Sequence, residues 1–187
     1  MPVSLLSLWM PILVSAVLVF VVSSIIHMFF TYHKNDFRKL PAEDAARDAL
    51  RPLAIPPGDY SVPYGGSAAA MKSPEYAEKL NQGPVLMMTV LPNGPFTMGT
   101  SLALWFGFTL LVSLFAGYLG SRTAPAGTEY LAVFRITATV AFAGYALGQL
   151  QDSIWYKRNW GATLRSMFDG LIYALVTGGT FGMLWPA

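Results

Sequence analysis

The chain has no cysteine. That excludes disulfides, thiolate metal sites, iron–sulfur clusters and a cysteine nucleophile. It is also poor in charge. Only 12% of its 187 residues are Asp, Glu, Lys or Arg, against about 25% in soluble domains. A formal net charge of +2 is too small to argue a nucleic-acid partner, and two histidines leave little for a His-rich metal site. No Gly-x-x-x-x-Gly-Lys, Gly-x-Ser-x-Gly or His-Glu-x-x-His motif occurs. No catalytic triad, dyad or metal constellation stands out, so no catalytic residue, metal or cofactor is expected, lipid aside.

What the chain has is apolar length: 54% of its residues are hydrophobic. A bilayer core of about 30 Å takes about 20 apolar residues as a helix. Four runs meet that length. Residues 1–30 carry the first, and residues 100–187 carry three more, at about 101–121, 130–152 and 164–185. The first run reads as a signal anchor rather than a cleaved signal peptide. No Lys or Arg precedes it, it is too long for an h-region, and no small-x-small cleavage site follows it. The expected fold is therefore an all-α membrane protein of four transmembrane helices, with an insert at 31–99.

Basic residues set the expected orientation. Lys34, Arg38, Lys39, Arg47, Arg51, Lys72 and Lys79 lie between the first two spans, and Lys157, Arg158 and Arg165 lie around the last loop. These ten of the twelve basic residues fall on one side, which places the insert in the cytoplasm and both termini outside. Trp9 and Trp185 then fall at the outer interface, and Trp105, Trp155 and Trp160 at the inner one.

The insert reads as a small α+β lobe or a partly extended arm lying on the membrane surface. Pro41–Leu50 carries acids in its first turn and Arg51 near its end, which suits a helix dipole, and Pro52, Pro56 and Pro57 stop it. Asp59–Tyr64 and Val85–Leu91 read as short strands. Ser73-Pro74-Glu75 is a helix start, with Gly83 ending that helix after Gln82. The lobe has few large apolar residues for a core, so it is expected to pack on a partner surface. Its methionines, Met71, Met87, Met88 and Met98, offer a soft-metal set or, more simply, adaptable packing.

Ionisable groups inside spans are costly. On the third span, Arg135, Tyr145, Gln149 and Asp152 fit 3–4 spacing. On the fourth, Asp169, Tyr173, Thr177 and Thr180 do the same. A short loop makes the two helices antiparallel neighbours, so these residues form a candidate polar seam. Arg135 lies ~25 Å from Asp152 at 1.5 Å per residue, beside Glu129 and the C-terminal carboxylate as expected partners. The seam reads either as a path for protons, ions or a head group, or as structural polarity: Arg135 snorkelling outward and the aspartates capping helices. His27, at the inner end of the first span, would need a second ligand from a partner helix to hold haem, because His33 is expected to face elsewhere.

Small residues recur at four-residue spacing. Gly144 and Gly148, Gly178 and Gly182, Ala103 and Gly107, and Ser113 and Gly117 each make such a pair. They are candidate helix-packing positions, within one chain or between chains.

At Met71-Lys-Ser-Pro-Glu75, Gly83-Pro-Val85, Tyr130–Arg135, Asp152-Ser-Ile-Trp155 and Asp169–Pro186, the chain resembles a family of small uncharacterised bacterial inner-membrane proteins, from about His33 onward. The resemblance implies a bacterial cytoplasmic membrane. It brings no activity, cofactor or site residue. The expected function is a non-enzymatic scaffold or accessory subunit. Its partners would be membrane lipids and copies of itself, larger complex subunits, or both, with no nucleic acid. The alternative is an oligomeric ion or proton channel, or small transporter, built on the seam.

Overall fold

The computed structural model describes residues 2–95 and 97–187. The chain divides into two compact units: Met1–Arg38 with Thr97–Ala187, and Lys39–Phe96.

The first unit is helical. A short 3₁₀ turn, Leu5–Leu8, leads into α1, Trp9–Phe29. The Ser4 side chain caps that turn by accepting from Ser7 N–H at 3.1 Å. After the second unit come α4 (Gly99–Thr123), α5 (Tyr130–Tyr145), α6 (Leu150–Trp155) and α7 (Trp160–Met183). Asn159 caps α7 by accepting from Gly161 N–H at 2.8 Å. Among the described residues, three stretches are long and apolar enough to cross a membrane: Leu5–Phe29, Gly99–Thr123 and Tyr130–Trp155. α7 has the length, at 24 residues, but a different composition. It buries Thr163, Asp169, Gly170, Tyr173, Thr177, Gly178 and Thr180, polar and small residues that suit helix contacts better than lipid. It packs on α5 and α1, and α4 packs on α1 and α5.

Gly170 of α7 abuts Tyr145 and Ala146, Gly178 abuts Phe134 and Ala138, and Gly182 abuts Tyr130. The paired numbers run in opposite directions, so α5 and α7 are antiparallel. A Cβ on Gly178 would stand 2.7 Å from Ala138 Cβ and 3.0 Å from the Phe134 carbonyl oxygen, so only glycine permits this approach. Gly117 lies against Ile12 and Phe181, and Gly144 against Val112. These four candidates pack within the chain. Gly107 and Gly148 do not: a Cβ on either meets nothing within 4 Å.

Gly148 is open because the third span is not one continuous helix. α5 ends at Tyr145, a 3₁₀ turn covers Leu147–Gln149, and α6 follows. The Gln149 amide donates to the Tyr145 carbonyl at 2.7 Å. The side chain thereby satisfies a carbonyl that the helix break leaves over.

The second unit holds α2 (Glu43–Leu50), β1 (Gly58–Val62), α3 (Pro74–Gln82) and β2 (Leu86–Val90). β1 and β2 pair antiparallel, with Gly58 opposite Val90 and Val62 opposite Leu86. α3 starts as its residues dictate: the Ser73 hydroxyl accepts from Tyr76 N–H at 3.1 Å, and Pro74 opens the first turn. It ends at Gly83, whose φ of +60° suits glycine. No described residue of 39–95 is buried. The unit begins later than the expected insert, because residues 31–38 belong with the helices.

Replacing Gly178 by Val should lower stability by about 1–3 kcal/mol, the usual cost of overpacking. Gly107→Ala and Gly148→Ala should stay within about 0.5 kcal/mol of the parent. Thermal unfolding of the detergent-solubilised protein measures all three. Equal effects would refute the glycine-dependent approach of α5 to α7.

Candidate functional site

The most polar locus of the helical unit joins the segment after α1 to the first turns of α7. Past Phe29 the chain reverses through two tight turns. Lys34 N–H donates to the Thr31 carbonyl at 3.1 Å, and Asp36 N–H donates to the His33 carbonyl at 2.9 Å. This carries Tyr32, His33 and Asp36 to α7, where Arg165 and Asp169 share a face at four-residue spacing.

His33 sits between two carboxylates. Its Nδ1 is 2.7 Å from Asp36 Oδ2, and its Nε2 is 2.7 Å from Asp169 Oδ2. A neutral imidazole donates from one nitrogen only, so the pairing needs a doubly protonated ring or a proton held by one carboxyl. The Tyr32 hydroxyl donates to Asp169 Oδ1. Arg165 donates to Asp36 Oδ1 from Nε at 2.9 Å and from Nη2 at 2.5 Å. Asp169 is only 2% exposed; a carboxylate so buried requires partners of this kind. Burial alone would raise the Asp36 carboxyl. The hydrogen bonds from His33 and Arg165 and their positive charge outweigh it, and hold that carboxyl below its ordinary range. Burial, then the Asp169 hydrogen bond and charge, push the Tyr32 hydroxyl well above its ordinary range.

The His27 ring stacks on His33, with centroids 4.9 Å apart and planes 9° from parallel. His27 Nδ1 lies 2.9 Å from the Ser23 carbonyl oxygen. A carbonyl only accepts, so Nδ1 carries the proton.

Below the ionic cluster lies an aromatic one. Tyr145 and Tyr173 meet edge to face at 5.6 Å, with Trp105 against both. The Trp105 indole donates to Ser23 Oγ at 2.8 Å, which ties α4 to α1 at this level. The Tyr145 hydroxyl reaches the Thr109 carbonyl at 3.5 Å. The Tyr173 hydroxyl is buried and has no hydrogen-bond partner among the described residues.

The structure thus brings together Tyr145, Asp169 and Tyr173 of the expected seam. Gln149 touches it only through the Tyr145 carbonyl. Asp152 lies apart, partly exposed, 3.7 Å from Arg158. Arg135 is exposed and makes no ion pair among the described residues, so neither Glu129 nor the C-terminal carboxylate serves it. α5 buries Val133, Thr137, Ala141 and Tyr145. Arg135, two residues past Val133, therefore points away from that stripe. The residues that sequence reasoning missed are Tyr32, His33, Asp36 and Arg165. Their signals were slight: His-x-x-Asp just past a span, and Arg165 four residues before Asp169. His33 was expected to face away from His27, and the chain reversal stacks the two instead.

Comparison of the chain with family models, curated proteins and solved structures finds no match.

Asp169→Ala strands His33 and the Tyr32 hydroxyl, and should cost about 3–5 kcal/mol, as breaking a buried pair does. Asp152→Ala removes a partly exposed contact and should change stability by less than about 1 kcal/mol. Denaturant unfolding in detergent compares them. Similar losses would mean that the cluster does not anchor the post-α1 segment.

Proposed function

We propose that this chain is a non-enzymatic scaffold or accessory subunit of an oligomeric complex in a bacterial cytoplasmic membrane. The observation that carries the reading is the 39–96 unit. It is folded into helices and a two-stranded sheet, yet none of its described residues is buried. Tyr64, Met71, Val85, Met87 and Leu91 are all more than half exposed. A unit with no core of its own suits a surface that another subunit covers. The ionic cluster supports the same reading, because its groups satisfy one another as a clamp between elements. α7 counts as a fourth span in this proposal, with its polar residues turned to the other helices. The insert and the 156–159 loop then lie on the cytoplasmic side.

A second reading, a proton path, draws on one observation. Hydroxyls follow one another through the bundle: Ser15 Oγ donates to Ser113 Oγ at 3.0 Å, with Tyr145, Thr177 and the unpartnered Tyr173 on neighbouring turns. In this reading Asp169→Asn abolishes proton flux into liposomes, and flux equal to that of empty liposomes for the parent eliminates it.

Native mass spectrometry of the particle extracted in mild detergent tests the assembly. More than one chain per particle, or co-extracted subunits, is the expected result, and a lone chain overturns the proposal. The cysteine-free background tests the four spans. Ser67→Cys and Tyr156→Cys should label from one side of intact vesicles, and Thr128→Cys and Ala187→Cys from the other. Labelling of Tyr156→Cys and Ala187→Cys from the same side would remove α7 from the count.

A further inference from the structure

We propose that His27, His33 and Asp169 form a binding site for one divalent first-row transition ion. One ligand atom from each lies within 4.8 Å of the other two. The chemistry is that of two imidazoles and one carboxylate, a donor set suited to zinc or iron(II), which leaves at least one coordination position open. The site goes beyond the assembly proposal and does not depend on it.

The outer hydrogen bonds of the rings carry the argument further than their proximity. A ligating histidine nearly always donates its other ring N–H to a carbonyl or carboxylate, which aims the free nitrogen at the metal. Both histidines are held that way. His27 Nδ1 donates to the Ser23 carbonyl at 2.9 Å, and no described residue hydrogen-bonds its Nε2. His33 Nδ1 faces Asp36 Oδ2 at 2.7 Å, and Arg165 holds Asp36 in turn. This is a carboxylate–histidine pair of the kind that supports metal ligands. His33 Nε2 already stands 2.7 Å from Asp169 Oδ2. A tetrahedral ion with bonds of about 2.1 Å holds its ligands about 3.4 Å apart, so on binding His33 Nε2 and Asp169 Oδ2 part by a fraction of an ångström and the His27 ring turns out of its stack on His33 to bring its nitrogen in. His27 is the exposed member, at the end of its helix.

Charge agrees. Once the proton between His33 Nε2 and Asp169 Oδ2 leaves, Asp36 and Asp169 outnumber Arg165, and the cluster meets the cation with one net negative charge. The Tyr32 hydroxyl on Asp169 Oδ1 fixes the carboxylate and leaves Oδ2 for the ion. On binding, the metal takes the place of the proton now shared by His33 Nε2 and Asp169 Oδ2, and that proton goes to solvent.

The test is titration of Zn²⁺ into the chelator-stripped, detergent-solubilised full chain by calorimetry, with Co²⁺ absorption reporting the ligand set. The expected result is one Zn²⁺ per chain. His27→Gln should weaken binding at least tenfold, and Asp36→Asn by about 10–100-fold, as loss of an outer partner does. The His27 side chain bonds only to its own helix, so His27→Gln should unfold at the parent temperature, and Asp152→Asn should bind Zn²⁺ like the parent. Two results overturn the proposal: no stoichiometric binding by the parent, or unchanged affinity in His27→Gln.

Discussion

The close approach of α7 to α5 is the constraint on which the rest of the helical unit depends. Three glycines on one face of α7 meet Tyr145, Phe134 and Tyr130 in antiparallel order. Backbones this near leave no room for side chains between them, and packing, not hydrophobic burial, is what holds helices together in lipid. Asp169 precedes Gly170, the glycine that abuts the end of α5. The contact that joins the helices therefore also buries the carboxylate. It brings Tyr173 edge to face with Tyr145 and places Phe181 in a second apolar cluster with Leu8, Ala116 and Val133.

A carboxylate buried to 2% exposure is unfavourable alone. It organises the chain around it. The segment after α1 folds back to supply a hydroxyl from Tyr32 and an imidazole from His33. His33 in turn recruits Asp36, and Arg165 closes the set. This is why the helical unit extends to Arg38 and does not stop where the apolar run ends. Two helices distant in sequence are tied by a charged connection, with His27 stacked at its rim.

The 39–96 unit works on the opposite principle. Its order is local. Ser73 caps α3, Gly83 ends it, and β1 and β2 pair across a register of five residues. A two-stranded sheet is marginal in water by itself, and this one buries nothing fully. Its exposed apolar side chains are what a subunit surface offers, and they underlie the assembly reading more directly than any helix face does.

Local chemistry was legible in the residues. Apolar length marked the helices, Ser-Pro and Gly marked both ends of α3, and four-residue spacing put Asp169, Tyr173 and Thr177 on one face. Each of these depends on neighbours within a turn or two, which a sequence displays directly. Three-dimensional partnership was not legible. Arg135 fits the spacing of a seam, yet α5 buries the stripe through Val133 and Thr137, and the break after Tyr145 removes Gly148 and Asp152 from the expected face. His33 finds Asp169 across 136 residues because a chain reversal and a glycine-dependent helix contact meet at one place. Spacing along a chain sets which side chains share a face. Which face is turned inward, and what meets it there, is decided only when the backbones pack.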